Sequence, residues 1–455
     1  MSFQTMAASA APAYRTAPAM PAKRKAGYDW PIFVFCAVIA ASVLFSYQLS
    51  SLTVVIHVVA LGMLTAFQFR KVARTTQKSW FLIIPIGWIF LSTLWSQYPG
   101  TTFYYATETT ITVLIGIQIG RQTSEDEAFI GLFFGWSLYT LASLMFGHSV
   151  KWGAHGGSAF SGLAEGKNYA GDTAVLGFIL SLNAIAWAVR RSELAVAIYA
   201  AALAIADLFI IAIAQSSGAI IGVTEVIATY IILTAFMLMP RTMRAPMFIV
   251  TGVLLFALFI TRTLWLDPVS AVVMQFFGKD PTLTGRVYLW ARADDITQSH
   301  PWLGVGYNAF WVQGNLNAEG LWRSEGILGR SGFNFHNSMI EWKINFGIIG
   351  MIMVFSTIIA LPIINIVTGC IRKNRLNFTI ISILVYELCR APFESIGLVP
   401  FSYTTILIIA VYSVARSSIS ARSTPSPKEA SNHLARPARL RISPPPHWVR
   451  RVKDV

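Results

Sequence analysis

The stretch "FNFHNSMIEWKINFGIIG", residues 333 to 350, puts His336 and Asn337 just ahead of a charged turn, an apolar run and two glycines, Gly347 and Gly350. An imidazole gains or gives up a proton near neutral pH, so a histidine at the rim of an apolar segment suits general acid or base chemistry. If the chain is helical from His336 onward, His336 and Gly347 lie eleven residues apart, close to three turns. They then share one stripe, with Lys343 between them and Gly350 nearby. On that reading the glycines bring the helix close to a neighbour inside an apolar layer, and His336 overlooks a cleft. The same residues also fit a plainer role, in which His336 and Asn337 cap the helix and Glu-Trp-Lys marks a membrane boundary.

Upstream, "TLTGRVYLWARADDITQSHP" reads as a short amphipathic helix with a capping Thr and an end before Pro301. Arg286, Leu289, Ala293 and Ile296 recur at helical spacing, so Arg286 lies on or beside the face turned to the membrane or the bundle. There its guanidinium can grip a phosphate through two nitrogens or simply snorkel. The segment Gly304 to Phe310, "GVGYNAF", has a Gly-x-Gly-x-x-Ala pattern but no preceding strand, which excludes a dinucleotide loop. Glu108, Asp207 and Glu225 are ionisable residues inside apolar runs, a common mark of function, although a buried structural network is the other reading. Glu108 shares a polar helical stripe with Thr101, Tyr105 and Thr112.

The elements that must position these residues follow from composition. Of 455 residues, 55% are hydrophobic and 12% charged, against roughly 25% charged in a soluble domain. This is the composition of a polytopic membrane protein. The net charge of +14 lies in short clusters between apolar runs, which argues against a nucleic-acid partner. Cys36, Cys370 and Cys389 have no paired spacing and indicate neither a disulfide framework nor a metal site. Apolar runs centred near residues 39, 60, 88, 110, 138, 179, 204, 228, 255, 356, 382 and 406 give about twelve spans. Basic connections such as "FRKVARTTQK", "RRSE", "PRTMR" and "RKNR" put both termini in the cytoplasm.

The expected organisation is a disordered tail over 1–28, spans one to nine over 29–265, a large outer loop over 266–335, spans ten to twelve over 336–415, and a disordered basic tail over 416–455. The tail is placed to rest on anionic lipid. The outer loop carries Trp290, Trp302, Trp311 and Trp322, residues that need something to pack on, so it is expected to be ordered. A second outer loop, "GHSVKWGAHGGSAFSGLAEGKNYAGD", carries Lys167 and Asn168, and the two loops are placed to meet over one cleft.

Three segments occur in order: Gly-Arg-x-x-x-Trp at Arg286 to Trp290, His-Pro-x-x-Gly-x-Gly at His300 to Gly306, and His-Asn-x9-Gly-x-x-Gly at His336 to Gly350. In these the chain resembles the O-antigen ligase and polymerase family of bacterial surface-polysaccharide assembly, over about residues 200 to 365. Members of rhizobial exopolysaccharide polymerase type are similar in size and basic tail. The resemblance implies an all-α inner-membrane glycosyltransferase of the GT-C type with a large, mostly helical periplasmic loop. It implies a lipid-linked oligosaccharide on undecaprenyl pyrophosphate as substrate, no metal or cofactor, and membrane lipids, a chain-length regulator and export proteins as partners. The family's functional histidine falls on His336 and one arginine on Arg286, with Gly304, Gly306, Gly347 and Gly350 as structural glycines.

Where many members carry Ser-Arg-Gly, this chain has Ser216, Ser217 and Gly218. Arg262, Arg323, Arg330 and Lys167 are the candidates for the missing cation, and Asn337, Asn168 and Trp290 complete the expected substrate contacts. Trp290, Trp311 and Trp322 either stack on sugar rings or form core. A polymerase is the expected activity, with a ligase that moves polymer to lipid A core or protein as the alternative. A precursor transporter or flippase is a third reading; it calls for internal repeats and short outer loops, neither of which is visible.

Overall fold

Where no water is available to backbone amides, a chain satisfies them by forming helices. The computed structural model describes residues 29–121, 125–152, 157–164, 166–261, 286–360, 363–364, 367 and 378–420. Its helices are α1 (Trp30–Leu44), α2 (Ser46–Leu49), α3 (Leu52–Lys78), α4 (Ile83–Leu91), α5 (Pro99–Arg121), α6 (Glu125–Phe146), α7 (Lys167–Arg191) and α8 (Leu194–Ala214). Beyond them come α9 (Ser217–Leu238), α10 (Arg241–Ile260), α11 (Arg286–Ser299), α12 (Leu316–Ser324), α13 (Ser338–Val354), α14 (Phe378–Arg390) and α15 (Tyr403–Ser420). Among the described residues, six helical segments are long and apolar enough to cross a membrane: Leu52–Lys78, Glu127–Phe146, Lys167–Arg191, Leu194–Ala214, Ser217–Leu238 and Ser338–Ala360.

The chain is thus a multi-pass membrane protein. The spans expected near residues 39, 88 and 406 coincide with shorter apolar helices at Trp30–Leu44, Trp80–Leu94 and Tyr403–Val414. Those near 110, 255 and 382 fall on α5, α10 and α14, which are not among the six. Residues 416–420 of the expected tail continue α15, while 1–28, 421–455 and Arg262 lie outside the described residues.

The structure is not purely helical. In the smaller outer loop, β1 (His148–Trp152) and β2 (Gly157–Gly162) pair antiparallel, with Val150 opposite Ala159 and Lys151 opposite Ser158. The architecture is otherwise mostly helical, as expected of an all-α membrane protein, and this one hairpin is an addition to it. A stretch read as merely polar and Gly-rich forms strands because β2 lies against α7 and α8 and buries Ala159, Ser161 and Gly162.

Helix α7 runs alongside α8 and also touches α9 and α14, while α5 packs on α15 and α1 on α6. The described part of the long connection, residues 286–335, has a core of its own. Leu289, Ala293 and Ile296 from α11 meet Val305, Phe310, Leu321, Trp322, Phe335 and Ile344. Among the described residues of the loop, 286–335, the segments between α11 and α12 and after α12 are irregular.

Helix α13 is broken at Gly347, where φ is 65° and ψ is −174°. The segment after α11 fills the break. Val305 donates its amide to Ile344 O at 2.8 Å, and the amides of Ile348 and Ile349 donate to Pro301 O at 2.9 Å and Trp302 O at 3.3 Å. A Cβ on Gly347 would overlap the Trp302 carbonyl, and one on Gly304 would overlap that of Ile344. Gly350 gives its space to the indole of Trp88 on α4, and Gly306 approaches Ser96.

The expected three-turn stripe from His336 to Gly347 therefore does not exist. The helix starts at Ser338 with Asn337 as its cap, His336 stands before it with φ 49°, and the register ends at Gly347. Lost backbone bonds at membrane depth are tolerated only where other groups replace them, which here requires a glycine on each side of the crossing.

Gly347→Ala is expected to destabilise the protein by more than the ~1–3 kcal/mol of a left-handed residue alone, since the overlap with Trp302 adds to it. Gly62→Ala, where a Cβ meets nothing within 4 Å, is the neutral control. Thermal unfolding of both variants in detergent checks this.

Candidate functional site

Three segments far apart in sequence meet at one carboxylate. Arg286 opens α11, His336 stands in the turn before α13, and Glu394 lies in the connection between α14 and α15. Arg286 Nη2 is 3.4 Å from Glu394 Oε1, and His336 Nδ1 is 3.3 Å from Glu394 Oε2. Arg286 Nη1 also donates to Phe393 O at 2.9 Å. The side chains remain 20% exposed for Arg286 and 28% for both His336 and Glu394, so the group is recessed yet open on one side. Burial pushes the Glu394 carboxyl up, but the hydrogen bond and charge of His336, with the charges of Arg286 and Arg390, hold it below its ordinary value.

The turn that carries His336 is tied down on all sides. His336 donates its amide to Asn334 Oδ1 at 2.8 Å, its ring meets Phe333 edge to face at 5.6 Å, and Ser395 Oγ donates to the same Asn334 oxygen at 3.0 Å. Asn337 Oδ1 accepts from the amides of Met339 and Ile340, and its Nδ2 donates to Pro392 O at 3.1 Å. Ser338 Oγ donates to Glu394 O at 2.7 Å and accepts from Ile396 N at 2.9 Å. Residues 334–338 and 391–396 are thereby stitched together. The amide of Asn337 is spent on capping and on this seam, which fits the plainer of its two readings.

Other candidates separate. Trp290 donates Nε1 to Phe335 O at 2.8 Å, Trp322 is 1% exposed, and Trp311 packs on Phe310, Trp322, Phe333 and Phe335. Trp322 and Trp311 belong to the core formed by residues 289–344, whereas Trp290 is half-buried beside it. Arg330 pairs with Glu319, and Arg323 lies exposed on α12. Among the described residues no hydrogen bond or ion pair joins either to Glu394.

Lys167 and Asn168 begin α7, and Lys167 Nζ donates to Gln215 O at 3.3 Å while Ser216 Oγ donates to Asn168 Oδ1 at 3.2 Å. Lys167 is buried directly beside the Ser216–Ser217–Gly218 segment. Asp207 accepts from Thr140 at 3.0 Å and Ser181 at 3.4 Å. Among the described residues, neither it nor Glu108 nor Glu225 is hydrogen-bonded or ion-paired with the His336 group.

Glu394 escaped the reading of the sequence, as did Arg390 and Asp172, which are paired with each other close by. The available signal was "ELCRAPFESIG", which sets Glu387, Arg390 and Glu394 at the end of an apolar run. Its acids and base stand one helical turn apart, yet nothing local points to His336.

Fold and site together define a multi-pass membrane protein with a recessed histidine, arginine and glutamate at the mouth of a broken helix. Residues 200–355 match the family model described as O-Antigen ligase, so this segment is similar to that family. The chain is 29% identical over 286 residues to the exopolysaccharide production protein ExoQ of Rhizobium meliloti (strain 1021). That match covers 58% of this chain and 62% of the relative, so less than two thirds of the relative's length is spanned. The family-matched segment includes Arg286 and His336 but stops short of Glu394.

A depressed carboxyl contributes stability that is present above its ordinary value of 4.5 and is lost as pH falls through the lower folded value. Wild-type protein is therefore expected to unfold at a higher temperature than Glu394→Gln at pH 7. The difference should shrink towards zero on acidification below pH ~4, as read from melting curves across pH.

Proposed function

We propose that this chain is a glycosyltransferase that polymerises a polysaccharide on the periplasmic face of a bacterial inner membrane, with both termini in the cytoplasm. Polymer carried on undecaprenyl pyrophosphate passes to the non-reducing end of an incoming lipid-linked repeat unit. The observation that carries this reading is the 3.3 Å contact of His336 Nδ1 with Glu394 Oε2. A carboxylate on Nδ1 keeps the proton there and leaves Nε2 as the nitrogen that receives a proton from an acceptor hydroxyl. The hydroxyl oxygen then bonds to the anomeric carbon, the bond to the pyrophosphate oxygen breaks with its electron pair, and His336 holds the released proton.

The departing pyrophosphate needs cations, since negative charge accumulates on it as the bond breaks. Arg286 is one; its contacts with Phe393 O and Glu394 Oε1 use two of five N–H donors, which leaves others to face a phosphate. Lys167 is the second. Of the candidate cations among the described residues, it alone lies against the segment where arginine is missing, with Nζ 3.3 Å from Gln215 O.

A ligase reading keeps the same site but a different acceptor, and the family description favours it. A deletion strain separates the possibilities. A polymerase leaves single lipid-linked units in the outer leaflet, a ligase leaves polymer unattached, and a flippase leaves units on the inner side. His336→Ala, inserted at normal levels, is expected to lower polymer yield by about 10²-fold or more, the scale of a lost general base. Wild-type yield from that variant would reduce His336 to a turn residue and sink the proposal.

A further inference from the structure

We infer that Asp172 and Arg390 are positioning residues that hold Glu394 against His336 from a buried anchor on α7. The inference rests on the reading above that His336 and Glu394 act on the acceptor hydroxyl.

Arg390 is the last residue of α14, and the chain turns immediately after it. Ala391 N donates to Glu387 O at 3.1 Å, and the amides of Phe393 and Glu394 donate back to Arg390 O at 2.8 and 2.9 Å. Glu394 thus sits one tight turn beyond Arg390, and its backbone cannot move unless that turn moves.

The Arg390 side chain is fixed on three sides. It forms an ion pair with Asp172 of α7, donates Nη1 to Glu387 Oε2 at 3.2 Å, and lies over the Tyr386 ring at 5.1 Å. Tyr386 OH donates to Asp172 Oδ1 at 2.9 Å. Little of this reaches solvent: the side chains of Arg390, Asp172 and Glu387 are 11%, 13% and 1% exposed.

As a device for stability the cluster is poor. Burying two carboxylates with one guanidinium costs desolvation that attraction does not reliably return, and Glu387 Oε1 is buried with no hydrogen-bond partner among the described residues. What such a cluster does supply is geometry, because neither acid can swing away without stranding a charge. It ties the end of α14 to α7 through Asp172, which both Arg390 and Tyr386 reach. Asp172 also lies five residues after Lys167 on the same helix, about 7–8 Å along its axis. One helix thereby positions both the general-base pair and the second cation. The Arg390 charge reaches Glu394 as well, and helps hold that carboxyl low.

The test uses full-length protein in lipid discs, with lipid-linked repeat units extracted from the deletion strain as substrate. Arg390→Gln and Asp172→Asn are each expected to lower kcat by about 10²-fold, the scale of a misplaced catalytic group, with KM near wild type. Arg390→Lys, which keeps the charge, should recover at least tenfold of that loss, where "tenfold" is on the order of one lost contact. Combined with Glu394→Gln, Arg390→Gln should cost nothing further, because it acts through that residue.

Losses that multiply in the double variant, a rise in KM in place of a fall in kcat, or failure of both single variants to insert would each overturn the assignment. If His336→Ala also turns over at the wild-type rate, the proposed reaction has failed. If His336→Ala is inactive while Arg390→Gln is wild type, only the positioning role has failed.

Discussion

A helix that breaks inside an apolar layer frees amides and carbonyls that have no water to turn to, and the way α13 repairs its break governs the rest of the outer structure. Residues 301–305 lie in the gap and exchange backbone hydrogen bonds with Ile344, Ile348 and Ile349. The crossing needs glycine on both segments, since a Cβ at Gly304 or Gly347 would overlap the other's backbone. Because the same segment follows directly from α11, the repair also fixes where α11, and hence Arg286, stands relative to the turn that carries His336. Two of the sequence segments that read as separate motifs are the two halves of one joint.

On that frame the chemistry is assembled by charge. Glu394 is flanked by Arg286 and His336, and its own position is set by a turn leading out of Arg390. Arg390 in turn is pinned to Asp172 on α7. The path from α7 through α14 to Glu394 crosses from the first half of the chain to the last. This is why a segment match ending at residue 355 contains the histidine and the arginine but not the carboxylate between them.

Some of this was legible in the residues themselves. The apolar runs announced a multi-pass membrane protein, and the aromatic content of the outer loop implied a packed core, which Trp322 and Phe310 now occupy. Asn337 before an apolar run is a capping signal, and its side chain does cap α13. The helical stripe from His336 to Gly347 failed for a definite reason: spacing assumes an unbroken helix, while a glycine can serve either close packing or a left-handed backbone, and Gly347 serves both. Trp311 and Trp322 looked equally suited to sugar stacking and to core, and only their neighbours decide for core.

By itself the sequence determined what depends on composition and local period: the membrane class, the positions of most helices, the motif order and the types of residue available for acid, base and cation. Tertiary structure alone decided which of them meet. Nothing within a few residues of Glu394 reveals His336, and nothing near Lys167 reveals Ser216. Those pairings arise where helices distant in the chain pack together, and packing depends on the joint fit of many side chains rather than on any periodicity a single segment can display.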